Sequence, residues 1–169
     1  MKTKIAFSFF IFLMVALLAA GANAGSLTFE LNDHSRGIKI STPGLDWSLS
    51  ASKHSISLNN SKLKGRLYIR SDPRRVESND EAMKNNKAML KRIKPGAKIK
   101  KDNEKFKIGG NTEAIGYTHR DPGKLTTELR VWFRHKGVQY IATCNAKDEF
   151  FKSVRKECVK IITGMEMIP

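Results

Sequence analysis

Few residues of this chain have the spacing that catalysis or metal binding requires. Four histidines occur singly along the chain, at His34, His54, His119 and His135. No two of them have the spacing of a zinc site, and no Gly-x-Ser-x-Gly turn is present. We interpret Cys144, between a predicted strand and a predicted helix, as a buried thiol rather than a nucleophile. The sequence therefore predicts no enzyme activity, no metal site and no cofactor.

The most concentrated chemistry is a stripe of lysines on one predicted helix. Steps of three, four and three residues separate its members, which are Lys84, Lys87, Lys91 and Lys94. This spacing places the four ammonium groups on one face of the helix, where like charges repel one another. A solvated face that keeps the protein soluble is one interpretation, and a contact surface for an anionic partner is the other. Because the clustering is local and lowers stability, we select these lysines as the candidate partner-binding residues.

Charge is distributed unevenly along the chain. The 169 residues include 31 Lys and Arg against 16 Asp and Glu, a net charge of +15. Residues 61–107 hold 16 of the basic residues and 6 of the acidic ones, whereas residues 25–60 are balanced at 3 and 3. The apolar content of 40% suits a folded domain rather than a disordered chain. The sequence therefore predicts a folded domain whose middle third is strongly basic.

An Arg-aromatic-Arg alternation occurs on two predicted strands, at Arg66–Arg70 and Arg130–Arg134. Such a pattern can offer stacking platforms beside positive charge. It also suits a sheet face that a helix covers, with arginine stems lying over Tyr68 and Trp132 and their charged heads in water. We favour the covered face for both strands.

Cysteine use leaves two alternatives open for Cys144 and Cys158. Export would favour a disulfide between them. However, ten helical residues cover about 15 Å, and a disulfide needs Cα atoms roughly 4.4–6.8 Å apart. The spacing therefore favours two separate buried thiols, with the disulfide as the alternative.

Residues 1–24 have the pattern of a secretory signal peptide. Lys2 and Lys4 precede the apolar run Ile5–Ala20, and Ala22-Asn23-Ala24 supplies small residues for cleavage after Ala24. An uncleaved anchor helix is the alternative, but the run is shorter than the roughly 20 apolar residues that span a bilayer. The sequence predicts one exported domain over residues 25–169, periplasmic or secreted, with no transmembrane span after cleavage.

Alternating apolar and polar residues predict a first block of short strands, at Leu27–Leu31, Ile38–Ile40, Leu45–Ser50, Ser55–Leu58 and Arg66–Arg70. A helix over residues 79–94 follows, because Ser78 and Glu81 form a capping box and Pro95-Gly96 ends the pattern. Met83, Leu90 and Ile93 recur at helical spacing with Ala82 and Met89 beside them, and we assign this apolar stripe to the core rather than to a binding groove.

A second block of strands leads to a second helix. We predict a hairpin around Asp102-Asn103 and further strands at Ala114–His119, Leu125–His135 and Val138–Cys144. A helix over residues 147–164, capped by Asn145, ends the chain. Short turns between strands predict antiparallel pairing, and two amphipathic helices must bury their stripes on the sheet. The predicted fold class is α+β, with the question of one or two covered faces open.

Four short patterns follow one another in an order that resembles a known family. An extended stretch with Pro, Gly and Trp (Pro43–Trp47) precedes a helix (Glu81–Ile93). A strand entered by glycines (Ile108–Ala114) and a Tyr-containing strand that leads into a helix with Phe (Tyr140–Phe150) complete the series. In these features the chain resembles the PsbP-like superfamily, which includes PsbP, DcrB and Mog. The resemblance implies an α/β sandwich and a non-enzymatic accessory or binding role, and the pattern contains no catalytic residue to carry over.

Two functional hypotheses remain from the sequence. The first is an exported accessory module that docks on an envelope or secreted protein with an acidic surface, through the lysine stripe. The second is a cationic binder of polyanions, such as nucleic acid, acidic glycan or anionic lipid headgroups, whose affinity would fall steeply with salt. We choose the first and keep the second as the alternative.

Overall fold

A computed structural model of the chain describes residues 30–33, 36–44, 46–52, 55–72 and 78–169. The predicted signal peptide lies outside the described residues, as do residues 27–29 of the first predicted strand. The strands are β1 (Glu30–Asp33), β2 (Ile38–Ser41), β3 (Trp47–Ser52), β4 (Ser55–Asn60), β5 (Gly65–Asp72), β6 (Lys98–Ile108), β7 (Thr112–Asp121), β8 (Thr126–His135), β9 (Val138–Lys147) and β10 (Glu166–Met167). The helices are α1 (Asn79–Ile93) and α2 (Asp148–Thr163).

Seven strands form the main sheet, in the order β3-β4-β5-β9-β8-β7-β6, and every neighbouring pair is antiparallel. β5 and β9 meet in the middle, from Gly65 opposite Ala146 to Asp72 opposite Gln139. This pairing joins the block of strands before α1 to the block after it. β1, β2 and β10 form a separate small sheet.

The two helices lie on opposite faces of the main sheet. α2 buries Phe151, Val154 and Ile161 in a core with Leu67 and Leu129. α1 buries Met83 and Leu90 in a second, smaller core on the other face, together with Ile115, Tyr117 and Trp132. The predicted α+β class with helices packed on an antiparallel sheet is confirmed, and the open question is answered in favour of two faces.

The ends of α1 follow the sequence closely. The Ser78 hydroxyl accepts a hydrogen bond from the Glu81 backbone N–H at 3.2 Å, as the capping box predicts. At the other end, the Lys94 N–H donates to the Leu90 carbonyl at 2.8 Å before Pro95 stops the helix.

Two local predictions are wrong. β6 runs without interruption through Asp102 and Asn103, where we predicted a hairpin turn, and it absorbs these polar residues through register shifts against β7. Asn145 does not cap α2, because it lies within β9 and pairs with Arg66 and Glu128. The N-cap residue of α2 is Lys147, without a capping hydrogen bond from its side chain.

Cys144 and Cys158 form a disulfide with their Cα atoms 6.2 Å apart, so our preference for two separate thiols is wrong. One reason is that a glycine, Gly65, lies directly under Val154 of α2. A Cβ on Gly65 would lie only 2.4 Å from Cγ1 of Val154, and Gly65 pairs with Ala146 on β9. Because no bulky side chain separates them, α2 approaches the sheet closely enough for the two sulfur atoms to bond.

Trp47, the tryptophan of the Pro-Gly-Trp stretch, connects β3 to α2. Its indole is buried in the core, and its Nε1–H donates to the Glu157 carboxylate at 2.6 Å. Asn60 on β4 donates to the same carboxylate oxygen at 3.1 Å. This tryptophan therefore holds the outer strands against the helix.

Candidate functional site

Two of the four lysines selected from the sequence are already engaged within the protein. Nζ of Lys87 lies 2.7 Å from a carboxylate oxygen of Asp102 on β6, and Nζ of Lys94 lies 2.9 Å from one of Asp121 on β7. The hydrogen bond from Lys87 lowers the pKa of Asp102, and that from Lys94 lowers the pKa of Asp121. The stripe is therefore half neutralised where it borders the sheet.

The remaining lysines of the stripe, Lys84 and Lys91, are exposed and border a second basic element. β6 is an edge strand of the main sheet and contributes five exposed lysines, namely Lys98, Lys100, Lys101, Lys105 and Lys107. The ion pair between Lys87 and Asp102 places β6 beside the lysine side of α1. We call these seven exposed lysines of α1 and β6 the basic edge. Lysines on an edge strand also block edge-to-edge pairing with other chains, which is their structural role.

A second surface lies on the sheet face that carries α1. Over β3, β4, β5 and the Thr143 and Asn145 positions of β9, no helix of the described residues covers this face. It presents small polar side chains, one tyrosine and two arginines, and we call it the open sheet face. Its members are Ser48, Ser50, Ser52, Ser55, Ser57, Asn59, Arg66, Tyr68, Arg70, Thr143 and Asn145.

The open sheet face shows that our interpretation of the Arg-aromatic-Arg pattern holds for only one of the two strands. On β8, Trp132 is buried under α1 and stacks on Tyr117 with ring centroids 5.6 Å apart, as predicted. On β5, the prediction of a covering helix is wrong, since Arg66 and Arg70 are exposed on either side of a half-buried Tyr68. Seven strands are too wide for α1 alone to cover.

The polar side chains of the open sheet face contact one another across the strands. The Arg66 guanidinium carbon lies 5.1 Å from the centroid of the Tyr68 ring, and its Nε donates to the Ser57 hydroxyl at 3.0 Å. Tyr68 pairs with Thr143, which pairs with Arg130 on β8. The Arg130 charge is balanced, because its Nη2 lies 2.9 Å from the Glu128 carboxylate. The sequence signal for this surface is the run of serines and asparagines at alternate positions of β3 and β4, where a covered face would carry larger apolar residues.

A groove separates α1 from the open sheet face. Its floor is formed by Tyr68, Ile141 and Thr143, and its helix wall by Asn86, Met89 and Ile93. Met89 and Ile93 are 43% and 65% exposed, so our assignment of these two residues to the core is wrong. The α1 core consists of Met83 and Leu90, and the helix turns the other two toward the groove. The sequence could not separate these roles, because all four residues fall on one broad apolar stripe.

His119 is a buried ionisable group next to the α1 core. Its side chain has no exposed surface, and neither ring nitrogen has a hydrogen-bond partner among the described residues. Burial lowers the pKa of His119 from 6.5 to about 4, against the opposing influence of the Glu128 carboxylate. Its Nε2 is 3.9 Å from Glu128, too far for a hydrogen bond. The imidazole is therefore neutral at physiological pH and out of reach of any substrate.

Within the described residues, no group of three or more His, Cys, Asp or Glu side chains is placed to hold a metal ion. In the same part of the chain, neither helix has the length and apolar character needed to cross a bilayer.

Comparison with known proteins identifies the fold. No family model matches the chain, and no curated protein sequence matches it. The solution structure of cyanobacterial PsbP from Synechocystis matches with a TM-score of 0.62 at 9% identity, over 89% of this chain and 97% of that one. LpqN of Mycobacterium tuberculosis, involved in cell envelope biogenesis, gives a TM-score of 0.48 at 14% identity, over 85% and 91% of the two chains. PA94 of Pseudomonas aeruginosa, of unknown function, gives 0.43 at 12% identity, over 76% and 89%. The first match confirms the PsbP-like resemblance at the level of the fold.

Proposed function

Starting from this PsbP-like fold, we propose that the chain is an exported, non-enzymatic binding protein that docks on an acidic surface of an envelope or secreted partner. The basic edge is the proposed contact surface. The observation that carries the proposal is the ion pair between Lys87 and Asp102, which joins the lysine side of α1 to the lysine-rich edge strand β6.

The ion pairs of Lys87 and Lys94, beside the basic edge, determine which lysines of α1 are available to a partner. Asp102 and Asp121 hold Lys87 and Lys94 against the sheet, while Lys84 and Lys91 extend into solvent. We therefore narrow the proposed contact on α1 to Lys84 and Lys91, and add the lysines of β6. A surface of this kind attracts an acidic partner over a distance and raises the association rate.

Two features support export. The first 24 residues have the composition of a signal peptide. The Cys144–Cys158 disulfide suits an oxidising compartment, because cytosolic thiols are kept reduced in most organisms.

Binding of a polyanion is the second candidate function. It is favoured by the density of positive charge on β6, where five of eleven residues are lysine. A polyanion binder would neutralise phosphates or sulfates one by one, so its affinity would fall steeply with salt. A protein partner with shape complementarity would depend less on salt.

The test is capture of a partner from envelope extract by the full-length chain after its export and purification, followed by elution in a salt gradient. We expect one protein to remain bound beyond roughly 0.5 M salt, where the Debye length is only a few ångströms. The variant Lys84→Glu/Lys91→Glu/Lys101→Glu should associate at least about tenfold more slowly at low salt.

The matched control is Lys152→Glu/Lys156→Glu/Lys160→Glu, which makes the same charge change on exposed positions of α2. An equal decrease in the association rate of both variants would mean that binding depends on net charge and not on the basic edge. Elution of nucleic acid or anionic glycan alone, by about 0.2 M salt, would favour the polyanion function. Unchanged capture by the basic-edge variant would contradict both.

A further inference from the structure

The groove between α1 and the open sheet face exposes apolar side chains that no other described residue covers. Among the described residues, the exposed large apolar side chains are Met89, Ile93, Leu125 and Val138. Two of these four, Met89 and Ile93, lie together on the groove wall, above Tyr68 and the nearly buried Ile141. The groove has a volume of about 320 Å³. Its apolar wall and floor would be stabilised by an apolar side chain from outside.

Positive charge lies at one rim of this groove. Arg70 lines it, is exposed, and forms no ion pair with any carboxylate of the described residues. Arg130 also lines it, but its charge is balanced by Glu128. A ligand in the groove therefore meets one exposed guanidinium that has no ion pair among the described side chains, and such a group can form bidentate hydrogen bonds with a carboxylate.

The residue types around the groove are those of protein recognition rather than of polyanion binding. Tyr, Arg and Met are enriched at protein interfaces, and Ser and Asn supply adaptable hydrogen bonds in antibody paratopes. None of the described residues that line the groove is a lysine, whereas lysines make up the basic edge. Met89 adds a flexible side chain that adapts to apolar groups of different shape.

We propose that this groove binds an extended segment of a protein partner in which a large apolar side chain stands next to an Asp or Glu. The apolar side chain packs between Met89, Ile93 and Tyr68. The adjacent carboxylate pairs with Arg70. The serines of β4 and β3 lie farther along the same face, within reach of the rest of the segment.

This site goes beyond the proposed function, because it lies on the opposite side of α1 from the lysines. Lys87 and Lys94 turn toward β6 and β7, whereas Met89 and Ile93 line the groove together with Tyr68 of β5 and Ile141 of β9. Substitutions can therefore remove the groove site without changing the basic edge, and the reverse.

The test is selection of a displayed random peptide library on the exported, disulfide-bonded protein. We expect enrichment of peptides with Leu, Ile, Phe or Met next to Asp or Glu. The variant Met89→Asp/Ile93→Asp changes only exposed side chains, so it should fold with an unchanged Tm. It should weaken the best peptide at least about tenfold, which corresponds to 1.4 kcal/mol. Arg70→Gln should remove the preference for acidic residues while the apolar preference remains.

The control variant Lys84→Glu/Lys91→Glu alters the other side of the same helix and should bind the peptide as the wild type does. Failure of the library to enrich any peptide would overturn the inference. Enrichment of peptides that lack acidic residues would also overturn it. Peptide binding that is unchanged in Met89→Asp/Ile93→Asp would overturn it too. Loss of the peptide in the control variant would place it on the basic edge and also overturn the inference. Failure of the partner capture described above, with peptide binding intact, would overturn the proposed function alone.

Discussion

His119 is a neutral imidazole in a fully buried position, and it makes the free energy of unfolding depend on pH. The folded protein keeps the ring unprotonated down to about pH 4, because burial lowers the pKa of His119, whereas the unfolded chain protonates it near 6.5. Below pH 6.5 the unfolded state therefore binds the additional proton, and the free energy of unfolding falls as the pH drops toward 4.

We predict a loss on the order of 3 kcal/mol from this group across that interval, at about 1.4 kcal/mol per pH unit. The variant His119→Phe, which keeps a ring beside Tyr117, should lose this contribution. Urea unfolding of both proteins at pH 7 and pH 4 measures it. An equal pH dependence in His119→Phe and in the wild type would contradict the assignment.

Gly65 is required for the close approach of α2 to the sheet. An added Cβ would lie 2.4 and 2.5 Å from the two γ-carbons of Val154. We predict that Gly65→Ala lowers the free energy of unfolding by roughly 1–3 kcal/mol, because the overpacked core must shift. Gly96→Ala is the matched control, since its Cβ would lie an ordinary 3.7 Å from Pro122. Equal thermal stability of the two variants would show that α2 adjusts without cost.

At the scale of elements, the disulfide fixes the second half of α2 to β9. It closes a loop of 14 residues, for which chain entropy predicts a stabilisation of about 3 kcal/mol. We expect dithiothreitol to lower the Tm of the wild type, because the unfolded chain is then reduced. The variant Cys144→Ala/Cys158→Ala should have a low Tm that dithiothreitol does not change. A double variant as stable as the oxidised wild type would mean that packing against Gly65 alone holds the helix.

The elements themselves follow from local sequence more fully than their mutual placement does. The period-two pattern of β8 and the Ser78 capping box of α1 predict those elements because both signals are local. The pairing of β5 with β9 and the close approach of α2 depend on residues far apart in the chain, such as Gly65 and Ala146, which are 81 positions apart and which no local pattern connects. For the same reason, the sequence indicated the lysines of α1 but not their ion pairs with Asp102 and Asp121. The alternate polar residues of β3 and β4 indicate an uncovered face, but the Arg-Tyr-Arg pattern of β5 does not by itself distinguish a covered face from an open one.

For the whole molecule, the central pairing of β5 with β9 joins the two strand blocks into one sheet, and the two cores lie on its opposite faces. Trp47 lies in the core under α2, and Trp132 lies in the core under α1 on the other face. Because eight residue pairs join the two strand blocks, we predict that both faces unfold together.

The single-tryptophan variants Trp47→Phe and Trp132→Phe leave one fluorescent reporter on each face. Within each variant, the denaturation midpoint from tryptophan fluorescence should coincide with the midpoint from far-ultraviolet circular dichroism. The latter follows the whole fold. An earlier fluorescence midpoint for the reporter under α1 would contradict cooperative unfolding and make the groove a separately opening region.

Both sulfur atoms of the disulfide belong to fully buried residues, since Cys144 and Cys158 have no exposed surface. An oxidant therefore reaches them only while α2 is still away from the sheet. Once the helix has docked on a reduced chain, the two thiols are shielded from reagents that act on exposed ones. The disulfide therefore forms only if the chain folds in an oxidising compartment. Its presence in protein taken directly from cells would indicate that the chain folded after it crossed the membrane.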